Sequence, residues 1–194
     1  MAFFTNNYDE YIFIGMILLW ILSEVIGGRI IPALRHGGSN INKKANHSSF
    51  ILVFVAISFW VALFMVEYNV GILPDWVFYP GILLMAMGIF VRQWSIFVLG
   101  SFFTPIVSVQ KNQKVVDYGP YRYVRHPSYL GIIITVIGVG LALHSLGAII
   151  EMIIIVCFAT GYRVYIEEKF LVSELGNDYI QYMKRTKRLI PFIL

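Results

Sequence analysis

Charge is the scarcest ingredient of this 194-residue chain. Only 13% of it is Asp, Glu, Lys or Arg, against 58% hydrophobic residues. A soluble domain carries about 25% charged residues, so this balance predicts a chain solvated by lipid. There is a single cysteine, Cys157, set in an apolar run. That excludes an intrachain disulfide and any multi-thiolate metal centre, and a buried packing role is expected for it. His36, His47, His126 and His144 are scattered without ligand spacing, so no zinc or other metal site is expected. The net charge is +4, but the basic residues stand in short clusters and form no stripe. This argues against a nucleic-acid surface and for membrane topology or anionic headgroups as their partners. Asp9 and Glu10 stand where a secretory signal would carry Lys or Arg, so the first apolar run is expected to be a retained helix. Neither an internal repeat nor a low-complexity segment is visible.

What the chain does have is apolar runs. Five stand out, at about Tyr11–Ile26, Phe50–Val66, Val77–Leu99, Tyr129–Leu143 and Leu146–Tyr165. A crossing takes about 20 apolar residues. The third and fifth runs meet that, and the first two do so with their flanks. The fourth is short, roughly 22 Å at 1.5 Å per residue. Either it starts earlier, near His126, or the last two runs form a shallow hairpin turning at His144–Gly147. Arg29, Arg35, Lys43 and Lys44 follow the first run, and Lys111, Lys114, Arg122 and Arg125 follow the third. The tail carries Lys169, Lys184, Arg185, Lys187 and Arg188, while the loop after the second run has Asp75 and no cation. This alternation predicts five crossings with the N-terminus outside and the C-terminus cytoplasmic. Asn46-His47-Ser48 matches a glycosylation sequon, but it falls on the expected cytoplasmic side. The expected architecture is an all-α integral membrane protein with one membrane domain, 1–194. Residues 1–100 would form three transmembrane helices. Residues 101–194 would carry the cofactor pocket, a hairpin of the last two helices and a cytoplasmic tail.

The polar stretch Ser101–Pro127 is where chemistry is expected. Gly119-Pro120 signals a turn. Pro127 disfavours helical geometry at His126 and suits the first turn of the next helix. Arg125 and His126 then stand at a helix mouth, whose free N–H groups attract a carboxylate. The same residues would also serve as a headgroup-level anchor, and spacing does not separate the two readings. Arg163 and Glu167 are four apart and share a helix face, while Glu168 points roughly 100° away. Carboxylates at that depth fit either a polar cavity or a solvated ion pair on a helix that runs on into the cytosol. Arg92 and Gln93 lie inside the third run. Arg92 either snorkels to the cytoplasmic end or lines a substrate entrance.

The run Gln110–Tyr129, ending in Arg125-His126-Pro127-Ser128-Tyr129-Leu130-Gly131, resembles the cofactor signature of the isoprenylcysteine carboxyl methyltransferase family and its phospholipid N-methyltransferase relatives. Arg163-Val-Tyr-Ile-Glu-Glu-Lys-Phe-Leu, then Leu175-Gly176-Asn177-Asp178-Tyr179, Tyr182 and Arg188-Leu189-Ile190-Pro191, resemble its second signature. The resemblance covers about residues 100–194, and the N-terminal half matches only as generic membrane helices. It implies S-adenosylmethionine as cofactor. Gln113, Lys114, Val115 and Val116 would contact it through backbone, and Tyr121 would pack on it. His126, Pro127, Ser128 and Tyr129 would hold its amino-acid end or adenosine, and Glu167 its ammonium or ribose. Arg163 would hold the substrate carboxylate. Many family members carry His where this chain has Gln113, so only a backbone role survives there. The implied partners are a lipophilic small molecule or prenylated protein C-terminus and the bilayer. The implied address is the cell membrane of a prokaryote or the endoplasmic reticulum of a eukaryote.

Other readings compete. An amine acceptor would make the protein a phospholipid N-methyltransferase, with Glu168 or His126 as candidate base. A membrane reductase of related fold would bind NADPH, whose phosphate would want more clustered cations than the Gln110–Lys114 stretch offers. A scaffold would keep the fold without activity. A Rossmann-type site is excluded, because Gly138-Val-Gly140 lies mid-helix as packing glycine.

Overall fold

The structure is a computed structural model that describes residues 4, 7–31, 34, 41–44, 51–104, 108–110 and 113–189. The sequon at 46–48, His36, His47, Lys111, Asn112 and Pro191 lie outside the described residues. Helix α1 (Asn7–Val25) starts with Asp9 and Glu10 in its first turn, where the helix dipole favours anions. It runs into a π-helical turn, Ile26–Ile30. Helix α2 (Ile51–Glu67) and helix α3 (Phe78–Leu99) are joined by a loop in which Asn69 and Gly71 take positive φ. Helix α4 (Pro127–Ala142) opens with proline at its first position, and His126 just before it is non-helical, as the pre-proline clash requires. The helix of the fourth apolar run thus begins earlier than Tyr129, next to His126.

The α4–α5 turn is set by His144, at φ 55, and by Ser145, whose Oγ accepts from Ala148 N at 3.1 Å and caps α5 (Leu146–Leu175). Helix α5 is 30 residues long, about 45 Å, and outruns the apolar stretch by ten residues. Gly176, at φ 60, breaks it, and the short amphipathic α6 (Asn177–Arg185) follows. Apart from helices there is one two-stranded antiparallel ribbon among the described residues. It pairs β1 (Ile41–Lys44) with β2 (Ser108–Gln110) in a register that puts Ile41 opposite Gln110 and Lys44 opposite Ser108. The hydropathy pattern does not foreshadow it.

Helices α3 and α4 are in backbone contact. A Cβ on Gly138 would meet the Gly81 carbonyl at 2.6 Å, and one on Gly88 would meet the Gly131 carbonyl at 2.6 Å. Small residues permit this approach where lipid supplies no hydrophobic drive. The core is completed by Phe78, Met85, Val136, Val139, Met152 and Val156, all buried. Outward faces are apolar: Phe97 is 71% exposed and Phe158 69%, which suits lipid and would be costly in water. Cys157 is also exposed on α5, which corrects the packing role expected for it. Three helical stretches, Asn7–Gly28, Asp75–Phe102 and Leu146–Leu175, are long and apolar enough to cross a membrane, and α2 and α4 are shorter apolar helices.

Candidate active site

The first turn of α4, the second half of α5 and the strand leading into α4 converge on one cavity. Gln113, Lys114, Val115, Val116, Tyr121, His126, Ser128, Tyr129, Arg163 and Glu167 all line it. Pro127 does not. It is buried and serves as the helix-starting residue behind the site.

Two polar clusters organise this space. In the first, Arg163 Nε donates to Tyr129 Oη at 3.3 Å, and Tyr129 Oη donates to Glu167 Oε2 at 2.7 Å. The His126 ring stacks on Tyr129 with centroids 5.6 Å apart, and its Nδ1 lies 4.0 Å from Glu167 Oε2. Arg163 and Glu167 do share a face, as their spacing requires. In the second cluster, Glu168 turns away from the cavity. Its Oε1 accepts from Arg125 Nε at 2.7 Å and lies 3.4 Å from His126 Nε2, while Oε2 accepts from Arg188 Nε at 3.0 Å. Arg125 also donates through Nη1 to the carbonyls of Met183, at 3.1 Å, and Thr186. The tail is thereby stitched to the signature strand. His126 N donates to Arg188 O at 3.0 Å and Arg125 N to Lys187 O at 2.8 Å. Arg125 is therefore engaged in tying the tail down, not in anchoring a headgroup.

Three tyrosines, Tyr121, Tyr179 and Tyr182, also line the cavity. Tyr182 Oη donates to the Tyr121 carbonyl at 2.7 Å. Burial, with Glu167 adding to it, pushes the phenols of Tyr121 and Tyr179 well above their ordinary value, and burial does the same at Tyr182. All three stay neutral hydrogen-bonding groups at any physiological pH.

The cavity also has walls that the sequence reading did not name. Glu24 comes from α1 and Gly28 from the π-helical turn after it, Ile51 and Leu52 from α2, Leu99 from α3 and Ile132 from α4. Ile51, Leu52 and Ile132 give it apolar lining. Arg92 lines it too and bonds Glu24 and Ser128. A signal for Glu24 was present: a lone carboxylate in one apolar run and a lone arginine in another are expected to find each other.

The chain that forms this cavity is similar to known proteins. A model of the isoprenylcysteine carboxyl methyltransferase family matches residues 81–173. Protein-S-isoprenylcysteine O-methyltransferase A of Arabidopsis thaliana is 25% identical over 189 residues, covering 93% of each chain. The Tribolium castaneum protein-S-isoprenylcysteine O-methyltransferase is 31% identical over 152 residues, covering 76% of this chain and 54% of its own. The chain thus spans about half the length of the insect relative. A solved eukaryotic intramembrane Ras methyltransferase, an isoprenylcysteine carboxyl methyltransferase, superposes with a TM-score of 0.71 at 27% identity, covering 93% of this chain and 65% of that one. Fold and site together define an intramembrane methyltransferase. The chain belongs to the isoprenylcysteine carboxyl methyltransferase family.

Proposed function

We propose that the protein transfers a methyl group from S-adenosylmethionine to the carboxylate of a lipophilic acceptor of the S-isoprenylcysteine type. The observation that carries this is the shared cavity, lined by Arg163, Glu167 and the signature stretch together with the apolar Ile51, Leu52 and Ile132. Such a site suits a molecule with one charged end and one apolar end. The donor set fits the cofactor. Among the described residues Glu167 accepts one hydrogen bond, from Tyr129 Oη, and so keeps acceptor capacity for an ammonium or ribose hydroxyls. Lys114, Val115 and Val116 belong to no helix or sheet ladder and line the same cavity.

When bound, the cofactor supplies an electrophilic methyl on a sulfonium. The protein's own residues align and desolvate. Arg163 grips the acceptor carboxylate through the planar fork of its guanidinium, while Tyr129 holds that fork on the other side. No base is called on, because a carboxylate is already ionised at neutral pH. Charge is neutralised as the methyl passes. A poorly hydrated cavity therefore favours the transition state over the separated ions, and fixed alignment accounts for several kcal/mol more. The cation at Arg163 favours an anionic acceptor over an amine.

The same reading includes five crossings, with α2 and α4 spanning a bilayer thinned or met by tilted neighbours, the N-terminus outside and the cavity open to the cytoplasm. The basic residues around the cavity end support that orientation. Two measurements test the function. Calorimetry with S-adenosylhomocysteine on the detergent-purified protein should give micromolar binding. Methyl transfer to a farnesylated cysteine should then be seen, and not to the amine of phosphatidylethanolamine. A folded sample that binds NADPH and no adenosyl ligand would replace this reading with the reductase.

A further inference from the structure

Arg92 is 8% exposed, and its fork is filled. Nη2 donates to Glu24 Oε2 at 2.7 Å, and Nε donates to Glu24 Oε1. Nη1 donates to Ser128 Oγ at 2.7 Å and lies 3.4 Å from the Ser128 carbonyl. An ion pair at membrane depth persists when its charges are matched and its hydrogen bonds completed, and here both conditions hold. The guanidinium cannot drift, because α3 and α4 touch at this level: a Cβ on Gly131 would meet Arg92 Cβ and N at 2.8 Å. Glu24 is followed by the π-helical turn Ile26–Ile30, a distortion found frequently at functional sites.

A guanidinium only donates. Ser128 Oγ therefore accepts in this contact, and its own hydroxyl proton is left for another acceptor. None of the described residues takes it. Ser128 lines the cavity together with Glu24 and Arg92. The geometry points to Glu24–Arg92 as a positioning pair that turns Ser128 into a hydrogen-bond donor to an oxygen or nitrogen of the bound cofactor. This role rests on the function proposed above. It gives α1, which lies outside the family-matched segment 81–173, a part in cofactor binding. Nothing in the resemblance assigns α1 that part.

The test is the affinity of the full chain for S-adenosylhomocysteine, with thermal unfolding measured in parallel. Ser128→Ala should weaken binding about tenfold, the equivalent of about 1.4 kcal/mol, with an unchanged unfolding midpoint. Ser128→Thr, which keeps the hydroxyl, should restore it. Glu24→Gln should weaken binding in the wild-type background and have little further effect in Ser128→Ala, because both act through one guanidinium. Unchanged affinity in Ser128→Ala would overturn the donor role. Equal effects of Glu24→Gln in both backgrounds would overturn the coupling, as would a lowered midpoint with intact affinity. A wild-type protein that binds no S-adenosylhomocysteine would remove the proposed function itself, and this role with it.

Discussion

The hydroxyl of Tyr129 donates to Glu167 across 2.7 Å, joining the first turn of α4 to the C-terminal half of α5. The same oxygen accepts from Arg163 at 3.3 Å. One phenol thus sets the spacing between the group proposed to hold the acceptor and the group proposed to hold the cofactor. Tyr129→Phe keeps the ring stacked on His126 and removes only the link. Loss of a hydrogen bond to a charged group costs about 1.5–3 kcal/mol. Methyl transfer should therefore fall roughly tenfold or more, with the fold intact by circular dichroism. An unchanged kcat/KM would mean the link is idle.

Arg163→Ala should abolish transfer while S-adenosylhomocysteine affinity stays within about twofold, since uniform binding of the cofactor does not use this cation. Equal loss of both would contradict the role given to Arg163. Arg163→Lys should retain part of the rate, because charge survives and the planar fork does not.

Glu168 carries no proposed contact with substrate. Its side chain is 6% exposed and it holds Arg125 and Arg188. Removing one member of a buried pair costs about 3–5 kcal/mol. Glu168→Gln should lower the thermal midpoint in detergent by roughly 6–20 °C and make the C-terminal tail more sensitive to protease. A midpoint within a degree of wild type would show that the tail is held by its backbone bonds alone.

Gly88→Ala should separate α3 from α4, because its Cβ would lie 2.3 Å from Thr135 Oγ1 and 2.6 Å from the Gly131 carbonyl. Overpacking of this kind costs about 1–3 kcal/mol. Gly161→Ala is the control: nothing lies within 4 Å of its Cβ, and alanine is the better helix former. The first variant should lose folded yield and the second should gain or hold it. The opposite order would refute the backbone contact as a stability determinant.

Orientation is open to labelling. In a Cys157→Ser background, Ile72→Cys should react with an impermeant maleimide added outside intact cells, and Asp117→Cys only after permeabilisation. The reverse pattern would invert the proposed topology.

Much of this protein is legible in its sequence because lipid leaves the chain few options. Backbone groups in a bilayer must be satisfied within the segment, so each apolar run had to be a helix, and the observed ends fall close to the hydropathy ends except at the C-terminus of α5, which runs on ten residues further. Pro127, Gly176 and Ser145 mark their boundaries by local sterics and capping, which need no tertiary knowledge. The signature residues could be gathered by spacing: Arg163 and Glu167 share a face because four residues make about one turn.

What the tertiary structure decided is which of those side chains meet. Glu168 and Glu167 are chemically the same, and only packing assigned one to the tail and the other to the cavity. Arg125 could have faced a headgroup, but the backbone pairing of Val124 with Lys187 brought Met183 and Thr186 carbonyls to it. Glu24 and Arg92 are 68 positions apart, and their pairing depends on how α1 leans on α3. Cys157 faces outward because the rotation of α5 about its axis is set by the pairing of its buried face with α2 and α4, not by the hydrophobicity of any one residue. Local chemistry and the solvent determined the helices. Long-range packing determined the partners, because contacts between residues far apart in the chain leave no period in the sequence.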